Sequence, residues 1–186
     1  MLLLVAVLLA QPNVTYGHFK EYDARLRAQL GIPPLAAEAK RADFVFRAVV
    51  LPSFHPECFV SVVRAKAKAE MVVRCASGSI WHAAAAKRPE PKTVMDWFEL
   101  SADEVRSLEA IGDEVRSWSE KHEDDGVDGM STTFEVSSGK SSRAVEVWHR
   151  GGKPNAWVNV LAALIQKHGK NTTPMVAAWA VYLDAR

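Results

Sequence analysis

Apolar residues recur along this chain at two periods, and the switches between them mark out its elements. From His18 to Leu30, the residues Phe19, Tyr22, Leu26 and Leu30 stand three or four apart, forming one face of a helix. Gly31 and the Pro33-Pro34 pair close it. Residues 33–42, rich in alanine, proline and alternating charges, read as a linker. Phe44–Leu51 is a dense run of apolar, β-branched and aromatic residues stopped by Pro52, which predicts a buried strand.

Beyond the corner Ser53-Phe54-His55-Pro56, two strand-like runs follow, Cys58–Arg64 and Glu70–Cys75. Folded about Lys66-Ala67, they set Val62 against Met71, Val60 against Val73 and Cys58 against Cys75. Phe59, Ser61, Glu70 and Arg74 then form a mixed opposite face, so the pattern itself selects the register. Ala65–Ala69 lacks the glycine or asparagine of a tight turn, which leaves open a longer loop and a register one residue away. Residues 77–92 are ambiguous, because four consecutive alanines favour helix while Gly78, Pro89 and Pro91 oppose it.

Thr93–Leu100 is extended, and Ser101 with Glu104 then forms a capping box. The helix it opens buries the stripe Val105, Leu108, Ile111, Val115 and Trp118. After an acidic loop, Glu120–Gly129, a second hairpin turns across Ser138-Gly139-Lys140 and pairs Phe134 with Val145 and Thr132 with Val147. Gly151-Gly152 leads into a helix with Trp157, Val160, Leu161 and Leu164 facing inward and Gly169 at its end. Pro174–Leu183 makes a last short helix. The expected fold class is α+β: a small antiparallel sheet built from hairpins, packed against two or three amphipathic helices.

Composition narrows the function classes. Hydrophobic residues form 48% and charged residues 24% of the 186, the balance of one soluble globular domain. A net charge of +1 provides no field to gather nucleic acid, so no such partner is expected. Met1–Ala10 is wholly apolar, but ten helical residues rise about 15 Å against a ~30 Å hydrocarbon core, too little for a stable membrane span. The run suits the hydrophobic region of a secretory signal broken by Gln11-Pro12-Asn13. No Lys or Arg precedes it, and Leu8 is bulky for its position before a cut at Ala10. The expected division is a signal-like segment over 1–17, an N-terminal helix and linker over 18–42, and one α+β domain over 43–186. Export to the periplasm or medium is the expected location; the alternative is a cytoplasmic chain with a buried N-terminal element.

Location bears on Cys58 and Cys75. Directly opposed strand residues have Cα atoms about 4.5–5.5 Å apart, within the range a disulfide accepts. An oxidising compartment closes such a bond, whereas a cytoplasmic chain keeps two thiols packed as small apolar groups.

Candidate chemistry is sparse. His55-Pro56-Glu57-Cys58 holds three zinc-ligand types, but Cys75 has no second cysteine two positions on, so a deaminase pattern fails. Asp124, Gly126, Asp128, Gly129 and Glu135 fall at positions one, three, five, six and twelve of a calcium loop. Position three offers no side-chain oxygen and a strand follows where a helix belongs, so a solvated Asp-Gly turn is the better reading. No hydrolase elbow, phosphate loop or dinucleotide fingerprint is present. No catalytic residue, cofactor or metal is therefore assigned, and His55, Asp128 and Trp148 remain as surface-site candidates. Trp148 falls on the face opposite Val145 and Val147, where it either meets a partner or is covered by a second layer.

From Phe44 to about Ile165, several signposts recur in order. They are the strand ending in Ser53-Phe54-His55, a hairpin, the Leu100-Ser101 helix cap, Asp128-Gly129 before Phe134-Glu135, and Val147-Trp148 before a glycine turn. This order resembles a loosely defined group of short, exported bacterial proteins without an assigned activity. The resemblance implies export and an α+β domain and supplies no catalytic residues. The leading expectation is a non-enzymatic exported domain, an envelope or partner-binding module with a protein partner in the envelope. The alternative is a metal-assisted hydrolase built from His55, His122, His149 and the acidic loop.

Overall fold

The computed structural model describes residues 17–119, 129–139, 141–149 and 152–183. In chain order its elements are α1 (Gly17–Gln29), α2 (Leu35–Ala39), β1 (Phe44–Pro52), β2 (Cys58–Ala65) and β3 (Lys68–Ala76). Then come α3 (Ile80–Ala85), β4 (Thr93–Glu99), α4 (Ala102–Ser117), β5 (Met130–Ser138) and β6 (Ser141–Trp148). The chain continues through α5 (Gly152–His168), α6 (Thr173–Ala177) and α7 (Ala180–Leu183). All six strands form one antiparallel sheet in the order β4-β3-β2-β1-β5-β6. This is the α+β arrangement the hydrophobic pattern predicts.

Both hairpins take the expected register. Cys58 faces Cys75, Val60 faces Val73 and Val62 faces Met71, while Phe134 faces Val145 and Thr132 faces Val147. The first turn is tight after all, because Lys66 accepts a left-handed φ of 57°. The side chains that this register turns to one face are apolar, and they form the main core. It runs from Phe46, Ala48 and Val50 through Val60, Val73 and Phe134 to Leu108 and Val115 of α4 and Trp157, Leu161 and Ile165 of α5. Ser101 caps α4 in the expected box with Glu104.

The opposite face is covered by the N-terminal helices. Leu26 of α1 and Leu30, just past its end, pack with Val49, Phe59 and Ile80. Gly31, at φ 61°, ends α1 as expected, with the Ile32 N–H reaching back to the Arg27 carbonyl at 2.8 Å. Residues 33–42 are more than a linker: they hold α2, whose Glu38 is buried. Glu38 lies 3.3 Å from Arg47, a fully buried residue in the middle of β1. Arg47 also meets Glu135 of β5 at 2.9 Å and the Pro33 carbonyl at 2.8 Å, and stands over the Phe59 ring. Glu135 in turn meets Arg27 of α1, so the N-terminal segment is fastened to the sheet by charge as well as by carbon.

Candidate functional site at the aromatic end of the sheet

The two ends of the sheet differ. At one, β2 turns into β3 at Lys66-Ala67 and β4 passes into α4 through Leu100 and Ser101. At the other, β1, β3 and β6 finish and β2, β4 and β5 begin, and the connections there carry the exposed rings of Phe54 and Trp81.

Pro52 breaks β1, and Ser53 fixes the corner by exchanging bonds with Gly129. The Ser53 N–H donates to the Gly129 carbonyl, and the Gly129 N–H donates to Ser53 Oγ. Phe54 is left 59% exposed and stacks on His82 with ring centroids 6.0 Å apart. A ring nitrogen of His82 meets the Ser53 carbonyl at 3.0 Å. The next residue, His55, meets the Tyr182 hydroxyl at 2.7 Å through Nδ1, and that hydroxyl also accepts from the Phe54 N–H.

Glu57, beyond Pro56, turns inward and is almost fully buried. Its carboxylate accepts from the N–H groups of Ile80 and Trp81, from Ser79 Oγ and from Tyr22 Oη. These bonds, with Ser79 capping the His82 N–H, resolve the ambiguity of residues 77–92: the alanine run becomes α3 because its open N–H groups find a buried acceptor. Burial, and then the charge of Glu57, push the Tyr22 hydroxyl far above its ordinary pKa. Tyr22 packs edge-on against Trp81 at 5.2 Å. The two rings line a shallow cleft of about 230 Å³ with Glu21, Arg25, Ala84 and Ala85.

The cysteines brace this end. Cys58 and Cys75 form a buried disulfide between directly opposed residues, Cα atoms 4.1 Å apart. The bond joins the first residue of β2 to the second-last residue of β3, so the corner holding Phe54 and the connection holding Trp81 rest on a cross-linked base.

His149 lies deeper. One ring nitrogen, Nε2, is 2.7 Å from Thr132 Oγ1; the other, Nδ1, is 3.0 Å from Asn155 Oδ1. Asn155 Nδ2 donates to the Leu183 carbonyl, which turns its oxygen to His149 and so places the ring hydrogen on Nδ1. A hydroxyl, an imidazole and an amide in this order match the parts of a nucleophile relay. Here Thr132 has no exposure at all, and the group ties the C-terminal turn to the sheet instead.

Of the surface candidates read from sequence, His55 and Trp148 both come to this end. Trp148 is half-buried and packs on Gly129, where a Cβ would lie 2.8 Å from the indole and where φ is +156°. Asp128 and His122 lie outside the described residues. Glu135, the last position of the calcium-loop template, is committed to Arg47 and Arg27. Among the described residues no three His, Cys, Asp or Glu side chains gather as a metal site. Sequence reasoning missed Tyr22, Trp81, His82 and Tyr182 as site residues, since they lie up to 160 positions apart and only the strand ends unite them. Compared with known proteins, the chain matches no family model and no curated sequence.

Proposed function

We propose that this chain is an exported domain, periplasmic or secreted, that binds a partner through its aromatic end and catalyses no reaction. The observation that carries this reading is the gathering of rings there, in contacts made by adjoining elements. Tyr22 packs on Trp81, His82 follows Trp81 and stacks on Phe54, and Tyr182 joins Phe54 to His55. Exposed aromatic side chains in contact with one another are what recognition surfaces are made of. The polar groups among these rings are spent on holding them in place, and the hydroxyl beside His149 is enclosed. The disulfide supports an oxidising compartment, and the apolar run Met1–Ala10 supports export. No observation among the described residues favours the metal-assisted alternative.

The test is the protein recovered from its own host. Its first residue is expected between Ala10 and His18, and both cysteines should resist a thiol reagent until the protein is reduced. Intact Met1 together with two reactive thiols in the cytoplasmic fraction overturns the proposal.

A further inference from the structure

The kind of partner follows from the shape and charge of the same surface, and so rests on the reading of the aromatic end as a contact site. Three of its exposed apolar side chains project from three separate elements. Phe54 stands on the β1–β2 corner at 59% exposure, Trp81 on α3 at 42%, and Val181 on α7 at 67%. The elements that carry them are joined by contacts: Tyr182, next to Val181 in sequence, accepts from the Phe54 N–H, and the Phe54 ring stacks on His82, next to Trp81 on α3. The surface presents projections beside the shallow cleft that Trp81 lines. A folded protein partner needs matching pockets for such projections, whereas a bilayer interface accepts Trp, Tyr and Phe side chains without shape complementarity.

The charge on the adjoining connection points the same way. Between α3 and β4 the chain reads Lys87-Arg88-Pro89-Glu90-Pro91-Lys92, with Lys87, Arg88 and Lys92 all exposed. The one carboxylate among them, Glu90, is paired with Arg25 at 2.8 Å. Unpaired cations beside protruding rings suit lipid phosphates, since basic residues add electrostatic attraction to what buried apolar area provides. We infer that the aromatic end is a peripheral membrane contact, with Phe54, Trp81 and Val181 inserted into the interfacial region of an anionic bilayer and Lys87 and Arg88 on its phosphates.

The experiment is flotation of the protein recovered from its host, N-terminus determined beforehand, with vesicles of phosphatidylcholine containing phosphatidylglycerol and with phosphatidylcholine alone. Determining the N-terminus first separates a failure of export from a failure of lipid contact. The expected result is binding that strengthens with phosphatidylglycerol and falls roughly tenfold or more in Phe54→Ser/Trp81→Ser, the loss of two buried rings. Lys87→Glu/Arg88→Glu should remove the gain from phosphatidylglycerol. Met95→Ser/Trp97→Ser alters two residues equally exposed but on β4 and should leave binding unchanged. Thermal melting confirms folding, and Val181→Ser replaces the ring variant should that one unfold. Absence of vesicle binding, wild-type binding by the ring variant, or an equal loss in the β4 variant overturns the inference; a partner captured as protein without lipid binding does so too.

Discussion

On one side of β1, Phe44, Phe46, Ala48 and Val50 meet the strands beside them and the helices above through carbon alone. On the other, Arg47 sits fully buried between Val45 and Val49, held by Glu38 from α2, Glu135 from β5 and a carbonyl from the chain linking α1 to α2. One strand thus carries two kinds of interior. Carbon contacts are non-directional, and many helix placements satisfy them to a similar degree. A buried guanidinium is satisfied only when specific oxygens arrive at specific distances, so the ionic face dictates where the N-terminal segment must lie. The apolar face supplies most of the driving force, and the charged face supplies the address.

The comparison breaks most sharply at its two centres. Phe134 is fully buried, packs edge-on against Trp157 at 5.4 Å and touches Phe46. Phe134→Ala is expected to cost about 3–5 kcal/mol in denaturant unfolding, as a cavity the rigid sheet cannot close. A loss under about 1 kcal/mol would show that this face is not the core. Arg47→Ala is expected to cost a similar amount, about 3–5 kcal/mol, by leaving Glu38 buried without its cation and Glu135 with Arg27 alone. Its signature is different. Replacing the charges together, as Arg47→Met with Glu38→Gln and Glu135→Gln, should restore most of that loss, because the penalty lies in unpaired charge and not in volume. No second-site change of charge should rescue Phe134→Ala. Equal behaviour of the two sites in these combinations would erase the distinction between the faces.

The apolar face was legible from sequence for the same reason that it is forgiving. Alternation in Val60, Val62, Met71 and Val73 fixes which side chains share a face, and a two-residue side-chain period makes any one-residue slip expose all of them. That constraint outweighed the poor turn at Lys66, which simply adopts a positive φ. The ionic face was not legible, although a signal existed: a lone arginine inside the apolar run Phe44–Leu51 has to find buried acceptors. Which acceptors it finds depends on α2 and β5, and no local period links Arg47 to Glu38 or Glu135. The aromatic end failed to show for a related reason. His55 and Trp148 stand out as chemistry on loops and strands, but Tyr22, Trp81 and Tyr182 sit at ordinary helical positions. Only the register of the whole sheet brings them to one place. Glu57 illustrates both cases: it reads as a metal-ligand type in sequence and acts in the fold as the acceptor that makes α3 possible.

The smallest of these effects concerns charge on the apolar side, where it stays at the rim. Glu104, the capping-box residue of α4, also receives bonds from His168 and Lys167 at the end of α5. Burial alone would raise its pKa; the hydrogen bonds from His168, Lys167 and Ser101 outweigh it and hold the carboxylate well below the usual range. The Glu104 side chain is 11% exposed but Lys167 is 64% exposed, so solvent screens much of that arm of the cluster. Glu104→Gln is therefore expected to cost about 1–2 kcal/mol at neutral pH, well under the cost of Arg47→Ala. The pH dependence carries the sign. A carboxylate with a depressed folded pKa stabilises the fold above its unfolded value, about 4.3, and that contribution disappears as pH falls toward the folded value. Wild type and Glu104→Gln should thus differ most near pH 7 and converge under acid, with the wild type falling more steeply below about pH 5. High salt should shrink the neutral-pH gap through the exposed lysine, while the Arg47→Ala loss, centred on a fully buried guanidinium and the buried Glu38, should respond less. A Glu104→Gln gap that persists unchanged at acid pH would mean that the residue acts by packing, and that charge on the apolar face contributes nothing of its own.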